Sequence, residues 1–130
     1  VRVMSEKTAM DSVAMLRRVV TEGTASLGEV PGYEVAGKTG TADKPKKTGG
    51  YYDDKVVNTF ASMFPASNPQ YVLIVTLDEP QDDTLSETRR TAGWTAVPVA
   101  AEIIRRVAPL MGLRPKLEPV ALDAVTAASN

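Results

Sequence analysis

The sequence predicts an α+β fold in which an antiparallel sheet is flanked by helices. Three strand-like segments, residues 33–41, 56–64 and 71–78, follow one another with no helical pattern between them. Six residues separate the last two segments, which suits an antiparallel hairpin, because a parallel crossover needs about a dozen residues or more. An amphipathic helical pattern precedes the strands and another follows them, so helices are expected to cover the sheet.

The first helix is predicted from a single apolar stripe. Its members recur at the helical spacing i, i+4, i+7 and i+11: Ala9, Val13, Leu16 and Val20. Ser5 and Thr8 are both candidate N-caps, and Gly23 is the candidate stop. We therefore expect a structural helix that packs on the sheet.

Two further segments bear on how the sheet is covered. Residues 43–54 are polar, rich in lysine and punctuated by glycine, which predicts a mobile connection between the first two strands. Residues 71–77 are apolar at almost every position, which is typical of a strand that is buried on both faces. This pattern predicts helices on both faces of the sheet.

The last helix is expected to begin near Pro98, because proline suits the first helical turn. An apolar face follows it, made of Val99, Ile103, Val107 and Leu110. Pro109 is expected to end or kink this helix, and Gly112 to close it. We therefore assign residues 1–113 to the domain and predict a disordered tail for residues 114–130.

Composition excludes several classes of function. Hydrophobic residues make up 43% of the 130 residues and charged residues 24%, which is ordinary for a globular domain. The net charge of −1 does not provide the excess of positive charge that a nucleic-acid-binding protein normally has. The absence of cysteine and histidine excludes disulfides, thiol nucleophiles and a Ser-His-Asp triad. We predict no cofactor and no metal site.

One short motif fits two unrelated chemistries. Residues 32–39 satisfy the G-x-x-x-x-G-K-[ST] pattern of phosphate loops, whereas Lys38-Thr39-Gly40 is a K-T-G triplet. A phosphate loop needs a helix that begins at its Lys-Thr, but Gly40 and Pro45 oppose a helix there. The upstream residues also lack a buried strand, and the predicted hairpin contradicts a parallel sheet. A structural alternative to both chemistries is that Lys38 is a charged residue on an exposed edge strand, where it protects against aggregation.

The sequence around the triplet closely resembles the K-T-G segment of class B penicillin-binding proteins, the monofunctional D,D-transpeptidases of cell division and elongation. The resemblance is most specific at residues 37–42, extends over about residues 3–113, and is closest to the division-type (FtsI-like) branch. It implies the C-terminal part of a transpeptidase fold of the penicillin-binding protein and serine β-lactamase type. That fold has a sheet of five antiparallel strands, of which the last three are expected here.

The resemblance also implies roles for the residues of the motif. In this family a serine attacks the penultimate D-Ala carbonyl of a stem peptide, or a β-lactam carbonyl, and forms an acyl-enzyme. Lys38 and Thr41 would be catalytic, Lys38 through its charge and Thr41 through a backbone N–H in the oxyanion hole. The hydroxyls of Thr39 and Thr41 would bind the substrate carboxylate, and Gly40 would let the substrate backbone lie along the strand.

Two motifs of the family are absent from this chain. No serine is followed by lysine three residues later, and no S-x-N motif is present. Both precede K-T-G in the family, and the chain begins with Val1 rather than Met, so we predict a piece of a longer polypeptide that lacks the nucleophile. Such a piece is expected to be inactive alone; a non-catalytic binding or interaction fragment of the same fold is the alternative.

The resemblance finally implies partners and a location. Stem peptides of peptidoglycan, β-lactams and the missing N-terminal part of the same protein are the expected partners, with division-complex membrane proteins as a further class. No nucleic acid is expected. The domain would lie in the periplasm or on the outer face of the cytoplasmic membrane, anchored through an N-terminal segment outside this chain.

Overall fold

The computed structural model describes residues 1–81 and 89–116 of the chain. Along the chain, one helix precedes a meander of three strands and a second helix follows it. The elements are α1 (Glu6–Thr21), β1 (Ala36–Pro45), β2 (Tyr51–Phe64), β3 (Tyr71–Asp78) and α2 (Ala96–Leu110), with one 3₁₀ turn at Ser26–Gly28. The three strands form one antiparallel sheet in the order β1-β2-β3, which confirms the predicted α+β class and the predicted hairpin.

Helix α1 is capped by Ser5 rather than Thr8. The Ser5 side chain accepts a hydrogen bond from the Thr8 backbone N–H at 3.1 Å, which satisfies one of the unpaired donors of the first turn. At the other end, Arg17 donates to the Val35 carbonyl at 2.7 Å and forms an ion pair with Glu29. Arg17 therefore ties α1 to the segment that leads into β1.

Strand β1 begins three residues later than the sequence predicts. Tyr33 lies in a turn whose N–H donates to the Val30 carbonyl at 3.0 Å. Glu34 has a φ of +47°, in the left-handed region that strands do not use. The alternation at residues 33–36 therefore reflects a turn and the beginning of a strand, and regular pairing starts with Ala36 opposite Met63.

The predicted mobile connection over residues 43–54 is wrong at both ends. Asp43 pairs with Val56 and Pro45 with Tyr51, so the connection is reduced to residues 46–50, where Gly49 and Gly50 both have positive φ. The lysine-rich composition does not prevent pairing, and Lys44 forms ion pairs with two acids at the end of β3. Lys44 Nζ lies 2.8 Å from Asp78 Oδ1 and 2.7 Å from Glu79 Oε1.

This ion-pair cluster also shifts the pKa values of Lys44 and Glu79. The hydrogen bonds that Lys44 donates to Asp78 and then to Glu79 raise the pKa of Lys44 to about 12. Lys44, with Lys55 at 2.8 Å, holds the pKa of Glu79 below its usual range. These side chains are partly exposed to solvent, so the ion pairs are expected to contribute little to stability.

Both helices pack on the same face of the sheet. One buried cluster joins Val20 of α1, Phe60 of β2, Val75 of β3 and Ile104 of α2. On the opposite face Val72 and Ile74 are 72% and 62% exposed. The prediction that β3 is buried on both faces, with helices on each, is therefore wrong for the part of the chain described: its apolar residues alternate between a core and an exposed surface.

The second helix begins two residues before Pro98, and Pro109 lies in its last turn. Gly112, with a φ of +83°, follows the helix and donates to the Pro109 carbonyl at 3.1 Å, as expected of the residue that closes it. Beyond it, the Lys116 N–H donates to the Gly32 carbonyl at 2.9 Å. The domain boundary at residue 113 stays a prediction, and residues 117–130 of the predicted tail lie outside the described residues.

Neither described helix combines the length and the apolar character that are needed to cross a membrane.

Candidate active site

The predicted site residues lie together at one edge of the sheet. Lys38, Thr39, Gly40 and Thr41 occupy consecutive positions of β1, which pairs with β2 on one side only. Among the described residues the other edge of β1 is unpaired, so its backbone can accept an extended ligand as an added strand. We refer to these four residues as the β1 quartet.

Alternation along β1 divides the quartet between the two faces of the sheet. Lys38 lies opposite Ala61, on the face that carries the exposed Ile74. Thr39 and Thr41 lie opposite Phe60 and Asn58, on the face that carries the helices. A ligand that follows the edge can therefore reach a cation on one face and two hydroxyls on the other.

The Lys38 side chain is exposed and lies against its own strand. Its Nζ donates to the Thr39 carbonyl at 2.9 Å, which leaves two of the three ammonium protons for other acceptors. No acidic side chain pairs with it among the described residues. The charge is therefore available to an anionic group at the edge of β1.

Thr39 is held by a residue from the end of the first helix. The hydroxyl oxygens of Thr24 and Thr39 lie 2.9 Å apart. Thr24 lies three residues beyond the end of α1, and the turn at Gly93 packs on it so closely that a Cβ at Gly93 would lie 2.5 Å from the Thr24 carbonyl oxygen. The position of the Thr39 hydroxyl therefore depends on α1 and on the chain that precedes α2.

Thr41 is held by the same turn before α2. The Ala92 backbone N–H donates to Thr41 Oγ1 at 3.0 Å, across 51 positions of sequence. Beneath this contact the buried amide of Asn58 donates to the Arg90 carbonyl and to Thr95 Oγ1, each at 2.7 Å. The hydroxyl of Thr41 thus has a fixed neighbour on the protein side and an exposed position at the edge.

Glycine is present at positions 37 and 40 for different structural reasons. A Cβ at Gly37 would lie 2.6 Å from the Ala61 carbonyl oxygen and 2.8 Å from the Phe60 ring, so close packing requires glycine there. A Cβ at Gly40 would meet only the Thr59 carbonyl oxygen, at 3.9 Å. Packing within the described chain therefore does not require glycine at position 40, and the space beside it is open.

A small cavity of about 220 Å³ lies beside Thr24. Trp94 forms part of its wall, and the Arg89 guanidinium lies 3.7 Å from the centre of the Trp94 ring. Such a cation–π contact fixes the ring and keeps a positive charge next to the cavity. The cavity borders the turn that holds Thr41, but its lining contains none of the quartet residues.

The phosphate-loop alternative is contradicted by the position of the motif. Lys38 and Thr39 lie within β1, and pairing continues from them through Asp43. The backbone N–H groups at this point therefore belong to a strand and not to the first turn of a helix, which is what a phosphate loop requires.

Sequence reasoning missed the residues that support the quartet: Thr24, Asn58, Ala92, Gly93 and Thr95. Most of them lie in segments that the pattern describes only as loops. Asn58 did carry a signal, because it is a polar residue among the inward positions of a strand, where a buried polar group needs a partner. The polar residue predicts that a hydrogen-bond partner exists, but the sequence does not identify Arg90 or Thr95 as that partner.

The family model for the penicillin binding protein transpeptidase domain matches residues 1–105. The chain belongs to that family. It is 36% identical over 129 residues to a protein of Caulobacter vibrioides named probable peptidoglycan D,D-transpeptidase FtsI, covering 93% of this chain and 22% of that protein. The resemblance to the division-type penicillin-binding proteins is thereby confirmed.

Solved transpeptidase domains have the same fold. Penicillin-binding protein 3 of Mycobacterium tuberculosis, complexed with ampicillin, is 33% identical with a TM-score of 0.74, and the match covers 91% of this chain and 27% of that one. The transpeptidase domain of penicillin-binding protein 3 from Burkholderia pseudomallei is 34% identical with a TM-score of 0.75, over 91% of this chain and 34% of that one. The chain therefore spans a minor part of these relatives, and the transpeptidase fold is confirmed for that part.

Proposed function

We propose that this chain is the K-T-G-bearing portion of a serine-type D,D-transpeptidase that cross-links peptidoglycan, in cell division, and that binds penicillin. The observation that carries the proposal is the unpaired edge of β1, where a lysine ammonium and two oriented threonine hydroxyls border open space at Gly40. This arrangement suits an extended peptide that ends in a carboxylate, because it offers an edge for backbone pairing and donors for the anion.

In the proposed reaction, a serine from an upstream S-x-x-K motif attacks the substrate carbonyl. The Ser Oγ–C bond forms, the C–N bond of the peptide or β-lactam breaks, and the leaving nitrogen takes up the proton that the serine hydroxyl loses. Lys38 supplies positive charge near the reacting groups, and Thr39 and Thr41 bind the terminal carboxylate. The Thr41 N–H acts as a donor to the oxyanion, and Gly40 leaves space for the substrate backbone.

The same proposal includes the environment of the domain. Peptidoglycan stem peptides are the substrates, β-lactams are covalent inhibitors, and the upstream part of the same protein completes the site. We further propose that the domain lies on the outer side of the cytoplasmic membrane, held by an N-terminal anchor, and that division-complex membrane proteins are its partners. The Caulobacter relative, named as a peptidoglycan D,D-transpeptidase, supports the assignment of substrate.

Intact-mass spectrometry after incubation with benzylpenicillin tests the proposal. The longer protein that contains the upstream S-x-x-K and S-x-N motifs is expected to gain the mass of one penicillin, whereas residues 1–130 alone gain none, because they lack the nucleophile. Absence of adduct on the longer protein would favour the non-catalytic binding fragment. An adduct on a serine of residues 1–130 would overturn the assignment of the nucleophile to the upstream part.

A further inference from the structure

Asn58 is a polar residue at a buried position, where an apolar side chain would need no hydrogen-bond partner. It is fully buried on β2, on the inner face that also carries Val56 and Phe60. Its Nδ2 makes two hydrogen bonds, but Oδ1 has no partner among the described residues. An unpaired carbonyl oxygen in a core is unfavourable, so the amide is not explained by packing alone.

The two hydrogen bonds of this amide hold both ends of one turn. Nδ2 donates at 2.7 Å to the Arg90 carbonyl, where the turn begins, and at 2.7 Å to Thr95 Oγ1, where α2 is about to begin. The Thr95 hydroxyl in turn donates to the Thr91 carbonyl at 3.2 Å. Asn58 and Thr95 together therefore fix residues 90–95 against the centre of the sheet.

The middle of that turn reaches the proposed substrate edge. Asn58 is the cross-strand partner of Thr41, and the turn it holds places the Ala92 N–H 3.0 Å from Thr41 Oγ1. A hydroxyl has one proton and two lone pairs. Because one lone pair accepts from Ala92, the proton is directed away from the turn and is free to be donated at the exposed edge.

We propose that Asn58 and Thr95 are positioning residues which act through the Ala92 N–H to present the Thr41 hydroxyl as a donor to the carboxylate of the substrate or β-lactam. This inference rests on the proposed function, since it assigns the oriented hydroxyl to the same ligand. Neither residue touches the ligand edge, so their effect on acylation should pass through the turn that they hold. That turn contacts Thr41 directly, through the Ala92 N–H, and reaches Thr39 only indirectly, where Gly93 packs on Thr24. We expect the direct route through Thr41 to be the larger.

A double-mutant cycle on acylation by benzylpenicillin tests this route in the longer protein. Asn58→Ala is expected to lower the second-order acylation rate about tenfold, the order of one lost hydrogen bond. In a Thr41→Ala background the same change should lower the rate by less than about twofold, because the group it positions has been removed. A purely structural role for Asn58 would give the same loss in both backgrounds and would overturn the inference.

Ser62→Ala is the matched control. Ser62 lies on the same face of β2, is also buried, and also donates to a backbone carbonyl, that of Leu73 at 2.9 Å, but it does not contact the turn. Its removal should change acylation by the same small factor with and without Thr41. If Asn58→Ala does not fold, Thr95→Val provides the same cycle, since it removes the hydroxyl and keeps the shape.

The outcomes separate the two proposals. If the unmodified protein is not acylated, the proposed function fails and this inference fails with it. If the unmodified protein is acylated and folded Asn58→Ala and Thr95→Val both react at its rate, only the positioning role is overturned.

Discussion

Thr39 and Thr41 each have a hydroxyl engaged by a neighbour from outside β1, Thr24 in one case and the Ala92 N–H in the other. Within the described residues, the Lys38 ammonium instead hydrogen-bonds to its own strand, at the Thr39 carbonyl. At the scale of residues, the hydroxyls are therefore fixed by tertiary contacts, whereas the ammonium is placed by the strand alone. Removal of Lys38 should leave the surrounding structure unchanged.

Lys38→Ala is expected to lower penicillin acylation of the longer protein by about tenfold to a hundredfold, because hydrogen bonds to a charged group contribute about 1.5–3 kcal/mol. Lys38→Arg should restore only part of the rate, since a planar guanidinium cannot replace a compact ammonium at the same point. Acylation kinetics and the melting temperature of each variant test these expectations.

Lys47→Ala, an exposed lysine of the β1–β2 connection, is the control and should react as the unmodified protein does. An unaltered rate in Lys38→Ala would reduce Lys38 to a lysine that protects an edge strand from aggregation.

At the scale of elements, β1 and β2 can approach closely because Gly37 has no side chain where the Phe60 ring and the Ala61 carbonyl lie. Phe60 is fully buried in the core, on the face of the sheet that the helices cover. Gly40, three positions later, has no such constraint. The two glycines of one short motif therefore predict different consequences of substitution.

Gly37→Ala should destabilise the protein by about 1–3 kcal/mol, the usual range for overpacking a core. Gly40→Ala should leave stability nearly unchanged, because its Cβ would lie 3.9 Å from the nearest atom outside its neighbours. Gly40→Ala should nevertheless slow acylation, since the methyl group would occupy space that we assign to the substrate backbone.

Thermal melting and acylation kinetics of both variants measure the two effects. Equal melting temperatures for the two variants would contradict the packing role of Gly37. Acylation of Gly40→Ala at the unmodified rate would contradict the assignment of the open space to substrate.

For the molecule as a whole, residues 1–81 and 89–116 cover one face of the sheet and leave the other uncovered. Val72 and Ile74 lie on the uncovered face, 72% and 62% exposed, and β3 has an unpaired outer edge among the described residues. Exposed apolar side chains beside an unpaired edge are a template for association. The outer face is thus a surface that the upstream part of the longer protein is expected to cover.

Residues 1–130 alone are therefore expected to self-associate, as measured by sedimentation velocity over a range of concentrations. Ile74→Lys should weaken association by about tenfold or more, because burial of an isoleucine side chain contributes about 1.5–3 kcal/mol. Met10→Lys, which replaces an equally exposed side chain on α1, is the control and should have little effect. A monomer at all concentrations would contradict this account of the outer face.

Much of the fold could be predicted from local patterns. The stripe that includes Val13 and Val20 located α1, and the six-residue separation identified the β2–β3 hairpin. The ends of β1 could not be predicted, because they depend on a left-handed Glu34 and on the pairing of Lys44 with acids at the end of β3. Those contacts join residues far apart in sequence, and local propensity does not contain them.

The family, the strand that carries Lys38 to Thr41, and the absence from this chain of an S-x-x-K motif could all be inferred without the structure. These features lie in contiguous residues, where spacing and residue type are sufficient. The tertiary structure alone decided that both helices cover one face and that Thr24, Asn58 and Ala92 support the threonine hydroxyls. The physical reason is that a hydrogen bond requires atoms about 3 Å apart, and only folding brings Ala92 to Thr41 across 51 positions of the chain.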